Sequence, residues 1–447
     1  MVWAMSFAIV GAVFAVFQGV FALGMMKIRA AARRNRAQIA KNCGVCGDGW
    51  RGIGMGDWVM QDQAGSLPLA GMTVLEMGTF ITGPCAGMLL ADLGARVIKV
   101  EQPGTGDPFR AYKGTLYSPH FQTYNRSKQS ITLDTRGADD LAAFDDLVRQ
   151  ADVFIQNFRP GVAKKIGVDF ERLQAINPRL VYASISGFGA TGPDADRPAF
   201  DTVAQAASGF LRLLVNPQHP RVVGPAIADA MTGFYTAQGV LAALYRRQQT
   251  GRGGLVETSM FEAMAHFNLD DFTHLFSADQ VMGPYSRPHV SQSYVFQCSD
   301  GLWLALHMSS PPKFWENLAE AVERPDMLAQ PAFANRDARI AHYEDVVAYL
   351  APIFATRRRA DWLARLRELE VPSAAVATTV EVLENEQAQH LQLQVSAPGP
   401  MGEFRTIRSP ISFDGQRNLA VTAPPLLGQD NDAVLGPILN RRPEAAE

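Results

Sequence analysis

From Leu67 onward, short apolar runs alternate with longer amphipathic stretches, which predicts strand, helix and strand in repeating order. Residues 72–76, MTVLE, read as a strand. Residues 83–93 follow as a helix rich in small and apolar side chains, and residues 96–101, RVIKVE, as a second strand. Further strands are predicted over residues 130–134, 153–156 and 180–186, with helices over 139–150 and 170–176. Strands alternating with helices in this way predict a parallel sheet covered on both faces.

The first 66 residues break the pattern. From Val2 to Met26 no side chain is charged, and then Lys27, Arg29, Arg33, Arg34 and Arg36 follow closely. About 20 apolar residues span a bilayer and leave a basic flank on the cytoplasmic side. Two readings compete: a membrane anchor over residues 2–26, and an upstream start codon with the native chain beginning near Met60. A secretory signal is not expected, because no small-residue cleavage site follows the apolar run. The body of the chain is expected in the cytoplasm, tethered to the inner membrane if the anchor is real.

Composition narrows the classes. With 447 residues, 47% hydrophobic and 19% charged, the chain has room for two domains and a sizeable core. A net charge of −3 gives no basic excess for nucleic acid. Cys43, Cys46, Cys85 and Cys298 are too scattered for a disulfide framework and suit a reducing compartment. The single CxxC at Cys43 and Cys46 has no second pair and no histidine nearby, so no metal site is expected.

The candidate chemistry lies in three loops. Gly78, Gly83 and Gly87 follow the first strand without forming GxGxxG, so a nicotinamide-dependent oxidoreductase lacks its fingerprint and Glu101 is weak support for ribose binding. Residues 187–193, GFGATGP, close the strand over 180–186, where ligands approach parallel sheets; a flexible turn is the other reading. Asp201 is expected to cap a helix. Asp229 opens a long apolar helix that ends in Arg246, Arg247 and Gly251, either as its N-cap or as a carboxylate facing a ligand. A membrane-tethered scaffold without activity would explain the N-terminus alone.

Taken in order, LAGMTVLEMG (69–78), GPCAGMLLADLGARVIKVEQPGTGD (83–107), YNRSKQSITLD (124–134), ADVFIQNFRPGVAKKIGVD (151–169), NPRLVYASISGFGATGP (177–193), RPAFDTVAQAASG (197–209) and the Asp229 segment with QTGRG (249–253) resemble the class III CoA-transferase family. That family includes formyl-CoA transferases, carnitine CoA-transferases and α-methylacyl-CoA racemases. The likeness continues through DGLWLAL (300–306), VPSAAV (371–376) and APPLLG (423–428). It implies an α/β fold: a Rossmann-like large domain with a parallel sheet, residues 67–268, a linker 269–289, a smaller α/β domain 290–385, and a segment 386–447 returning to the large domain. It also implies two chains interlocked as a homodimer. The alanine-rich stretch 236–245 suits such an interface and a monomer core equally.

The resemblance implies the chemistry residue by residue. Asp229 matches the nucleophilic carboxylate that takes an acyl group from acyl-CoA and then CoA itself, before CoA leaves on a second carboxylic acid. Glycine-rich loops and the N-terminus of the helix after Asp229 would stabilise the oxyanions. CoA, a substrate and not a tightly bound cofactor, would meet Ile81, Thr82, Gln102, Leu133, Asp134, Thr135, Arg136, Asn157, Phe158, Arg159, Lys165, Phe200 and Asp201. Four departures qualify this. Gln102 stands where formyl-CoA transferases have arginine, and Ile81 where they have glutamine. Phe200 stands where the racemases have a histidine, which favours transfer over racemisation unless His289 or His307 approaches. A family glycine run is replaced by residues 284–293, so Arg287, His289 or Gln292 either meets an acid larger than oxalate or is an ordinary solvated loop residue.

Overall fold

The structure, a computed structural model, describes residues 67–112, 116–309 and 311–439. The expected anchor over residues 2–26, the late start near Met60 and the Cys43–Cys46 pair lie outside the described residues. Six strands, β1 (Thr73–Glu76), β2 (Arg96–Glu101), β3 (Lys128–Thr132), β4 (Val153–Gln156), β5 (Val181–Ser186) and β6 (Gly254–Ser259), pair in parallel in the order β3-β2-β1-β4-β5-β6. This confirms the α/β class with a Rossmann-like sheet.

The sheet is apolar on both faces because both are covered. Leu75, Ile98, Phe154 and Tyr182 point to one side, where they pack with Phe144 and Val148 of a helix over Ala138–Gln150. Val74, Val97, Val153, Ile155 and Val181 point to the other, against Ala86 and Leu90 of helix α1 (Thr82–Asp92) and Val240 and Leu244 of a long helix over Ile227–Thr250. The C-terminal segment comes back to this sheet. Asp430 and Asn431 accept hydrogen bonds from Ser130 and Thr132 on the edge strand β3 (both 2.8 Å), and Val434, Leu435 and Ile438 join the core beside Phe144. The edge is thereby covered.

β3 starts two residues before the strand expected at 130–134. Its first residues, Lys128 and Gln129, are polar and hid it: Lys128 is buried and forms an ion pair with Glu76 at 2.6 Å.

A second core is built on an antiparallel sheet, β7 (Ser293–Gln297), β8 (Trp303–His307) and β9 (Ser373–Ala375). Tyr294, Phe296, Leu304 and Leu306 alternate onto one face and pack with Trp315, Phe354 and Trp362 from three helices. The stretch 269–289, expected as a linker, contains a helix, Leu269–Ala278, because its apolar residues recur at helical spacing. Among the described residues, no helix is long and apolar enough to cross a membrane, and no cluster of ligating side chains fits a metal ion.

Candidate active site

The strand order reverses direction between β1 and β4, and in such sheets the crevice outside the carboxyl ends of those two strands is where ligands bind. The loop after β1 is shaped by glycine. A Cβ on Gly78 would stand 2.9 Å from the Cα of Gly83, and one on Gly83 would stand 2.8 Å from that of Gly78, so loop and helix α1 touch backbone to backbone. Asn157, just after β4, ties the two loops together. It accepts from the Thr79 amide (2.9 Å) and donates to the Thr79 carbonyl (2.8 Å) and the Thr82 hydroxyl (2.9 Å).

Beneath these loops lies a buried ionic cluster. Lys99 reaches Glu76 (2.8 Å), Asp107 (3.0 Å) and the Gly78 carbonyl (2.7 Å), while Lys128 holds the other oxygen of Glu76. Burial pushes Glu76 up, but its two ammonium partners outweigh that and hold the carboxyl below the ordinary range. Burial draws Lys128 down to about 8 in spite of Glu76. Gly87 makes room for this pair, since a Cβ there would fall 2.1 Å from Glu76 Oε2. Glu101 is not free to meet a ribose: Arg110 (2.6 Å), Ser130 (2.7 Å) and the Asp107 amide (2.9 Å) occupy its carboxylate.

Asp229 is the third residue of the Ile227–Thr250 helix and does not cap it. The residue at the cap position is Ala226, which has no side-chain acceptor. Asp201 takes that role from outside, its Oδ1 accepting from the amides of Ala228 (2.8 Å) and Asp229 (3.3 Å). Asp201 is therefore not the cap of its own helix, Asp201–Ala207, whose cap position is Phe200. The same bonds satisfy the amides of Ala228 and Asp229 at the start of the Ile227–Thr250 helix. Helix α1, by contrast, has no side-chain cap at Ile81, and its first turn faces the crevice.

The Asp229 carboxyl itself has no hydrogen-bond partner among the described residues. It lines a cleft of about 370 Å³ with Phe80, Ile81, Thr82, Asn157, Arg159 and Phe200. Burial first, and the neighbouring charge of Asp201 second, push its carboxyl up to about 7. Phe200 presents its ring edge-on to Phe80 at 6.0 Å between centroids and is largely exposed.

A second cleft of about 250 Å³ shares Thr79 and Phe158 with the first, and is lined by Gln102, Leu133, Asp134, Thr135 and Arg136. Arg136 is paired with Asp134 at 2.7 Å, which holds the Asp134 carboxyl down at about 2. Lys165 is exposed and lines neither cleft, although Val162 and Ile166 on either side of it line one each. Asp201 lines neither. A larger opening of about 790 Å³ adjoins through Arg197, whose guanidinium lies 4.8 Å from the ring centre of Phe188.

The residues expected to meet a larger acid are elsewhere. Gln292 is buried and bonded to Arg339 (2.7 Å) and the Ser309 carbonyl (2.9 Å), so it is not free for a substrate. His289 stacks on Tyr343 at 4.1 Å, and His307 bonds Ser293 at 3.0 Å. Arg287 is exposed. None of the four lines the cleft of Asp229.

A doubly wound sheet with clefts at its reversal point, one of them lined by an unbonded carboxyl, is the arrangement of an α/β enzyme. Comparison with known proteins makes this specific. The profile of CoA-transferase family III matches residues 69–431. The chain is 33% identical to acetyl-CoA:oxalate CoA-transferase of Acetobacter aceti over 75% of this chain and 87% of that protein. It is 34% identical to succinyl-CoA–D-citramalate CoA-transferase of Chloroflexus aurantiacus over 72% and 82% respectively. A CAIB/BAIF family protein from Brucella suis superposes with a TM-score of 0.75 at 30% identity, covering 83% of this chain and 99% of that one. The chain belongs to CoA-transferase family III and is an enzyme that transfers CoA.

Proposed function

We propose that the chain moves CoA from an acyl-CoA thioester to a free carboxylic acid, with Asp229 as the nucleophile. The observation that carries this is the Asp229 carboxyl, partly buried, pushed up to about 7 and without a hydrogen-bond partner in the crevice. One carboxylate oxygen attacks the thioester carbonyl and expels CoA thiolate, leaving a mixed anhydride on Asp229. The thiolate attacks the Asp229 carbonyl carbon, which releases the first acid and leaves an aspartyl-CoA thioester. The incoming acid's carboxylate attacks that carbon, again expelling thiolate and forming a second anhydride. Thiolate then attacks the acyl carbonyl of the incoming group, which yields the new thioester and restores Asp229. The uncapped first turn of α1 and the Thr82 hydroxyl supply positive potential beside the developing oxyanions.

The two clefts meet at Thr79 and Phe158, which supports one long substrate lying across both. We place the nucleotide end of CoA against Gln102 and residues 133–136, and its thioester end against Ile81, Thr82, residues 157–159 and Phe200. Arg159 has no side-chain partner among the described residues, whereas Arg136 would share its charge between Asp134 and a phosphate. No histidine lines the Asp229 cleft, so the racemisation reading draws no support there. We also assign the reaction to a reducing compartment such as the cytoplasm, where the unpaired Cys85 and Cys298 suit, and to a homodimer.

Incubation with an acyl-CoA, trapping with hydroxylamine and peptide mapping tests the nucleophile. A modified peptide containing Asp229 is expected. CoA exchange that survives Asp229→Ala overturns the reading.

A further inference from the structure

We propose that Asp201 is a positioning residue for Asp229: its carboxylate substitutes for the missing helix cap and sets a second negative charge against the nucleophile, which acylation of Asp229 relieves. This rests on Asp229 being the nucleophile. The geometry is specific. A helix leaves its first amides without partners, and Ala226 has nothing to offer them. Asp201, 28 residues before Asp229, reaches across with Oδ1 to the amides of Ala228 at 2.8 Å and of Asp229 at 3.3 Å. Its Oδ2 accepts from Nε2 of the buried Gln205 at 2.6 Å, one turn further along the same helix. Both oxygens are thus held. The Asp229 backbone is fixed through its amide while its carboxyl stays unbonded.

The charges around Asp229 give this arrangement a chemical consequence. The titratable groups that face it are Asp201, the Cys85 thiol on α1 and the Tyr124 phenol, with Arg159 and Arg197 on the cleft wall. Of these, Asp201 brings the carboxylate charge. Two like charges held together disfavour the ionised form of the second. Acyl transfer to Asp229 removes one of them, so the covalent enzyme gains relative to the free carboxylate, and the upward displacement of Asp229 agrees with this.

Asp201→Asn keeps an oxygen acceptor and removes the charge; Asp201→Ala removes both. The full-length protein, labelled with 13C at aspartate carboxyls, reads the Asp229 midpoint by NMR, with Asp229→Asn assigning the signal. In Asp201→Asn the midpoint is expected to fall by about one pH unit, with a smaller loss of melting temperature than in Asp201→Ala. The hydroxylamine-trapped adduct at pH 8 should drop several-fold, with kcat reduced and the acyl-CoA KM unmoved. Asp201→Ala should also lose thermal stability. An unmoved midpoint in Asp201→Asn, or a wild-type level of adduct, overturns the proposal while leaving the nucleophile intact. A wild-type protein that yields no adduct at Asp229 defeats the nucleophile reading instead, and this proposal with it.

Discussion

Asp229 is held where the fold does not favour its charge, and that has two consequences at the scale of one side chain. Its carboxyl is raised from 3.8 to about 7 in the folded chain, so the native state binds more protons than the unfolded state across that window. The stability drawn from this group is present below pH 3.8 and is lost as pH rises through 7. Asp229→Asn is therefore expected to be more stable than the wild type at pH 8, by about 1–2 kcal/mol after allowing for partial exposure, with the gain shrinking toward pH 4. Urea denaturation at several pH values measures it; equal stability at pH 8 would count against the raised carboxyl. The second consequence is kinetic: the single-turnover rate of CoA release from an acyl-CoA should climb with pH and level off above about 7. A rate independent of pH between 5 and 8 would remove Asp229 as the group that must ionise. The carboxylate was legible in the sequence through its motif, but its cap was not. The acceptor that completes the helix lies 28 residues upstream, and periodicity reads only near neighbours.

Between elements, the strand-end crevice depends on two close approaches. Gly78 and Gly83 let the β1 loop and α1 touch, and a methyl at either meets backbone that has no flexible end to yield. Gly83→Ala should destabilise by about 1–3 kcal/mol and weaken acyl-CoA binding by shifting the turn that faces Asp229. Chemical denaturation and the acyl-CoA KM report both; a stable variant with native KM would show that the loop moves freely. The second approach is ionic. Lys128→Met leaves the buried Glu76 with Lys99 alone, a loss expected to cost about 3–5 kcal/mol. A melting temperature within a degree or two of wild type would contradict this. The βαβ pattern was readable because Val, Leu, Ile and Phe make up half or more of β1, β2 and β4. The start of β3 was not, since a lysine and a glutamine carry no strand signal until the glutamate that pairs with the lysine is known.

For the whole molecule, the surface of the described residues carries an apolar stripe that supports the proposed homodimer. Phe234, Leu241 and Tyr245 are exposed at 52%, 36% and 66% on the long helix. They stand at i, i+7 and i+11, hence on a single stripe. Single exposed apolar residues are ordinary, whereas a continuous stripe points to a covered surface. Phe267, Leu269 and Phe276 add to the apolar surface just beyond, on the next two helices. The inner side of the same helix is fully used, by Ala237, Val240 and Leu244 against the sheet, so the outer stripe is not spare core. The sequence could not separate these two uses of 236–245, because alanine suits both and only the sheet contacts tell inside from outside. A second copy of the chain is the occupant expected. Sedimentation at micromolar concentration should give about twice the 48.7 kDa of one chain, and Leu241→Asp with Tyr245→Asp should shift it toward the single mass. A wild-type chain that sediments at the single mass at every concentration would leave the stripe unexplained and remove the dimer.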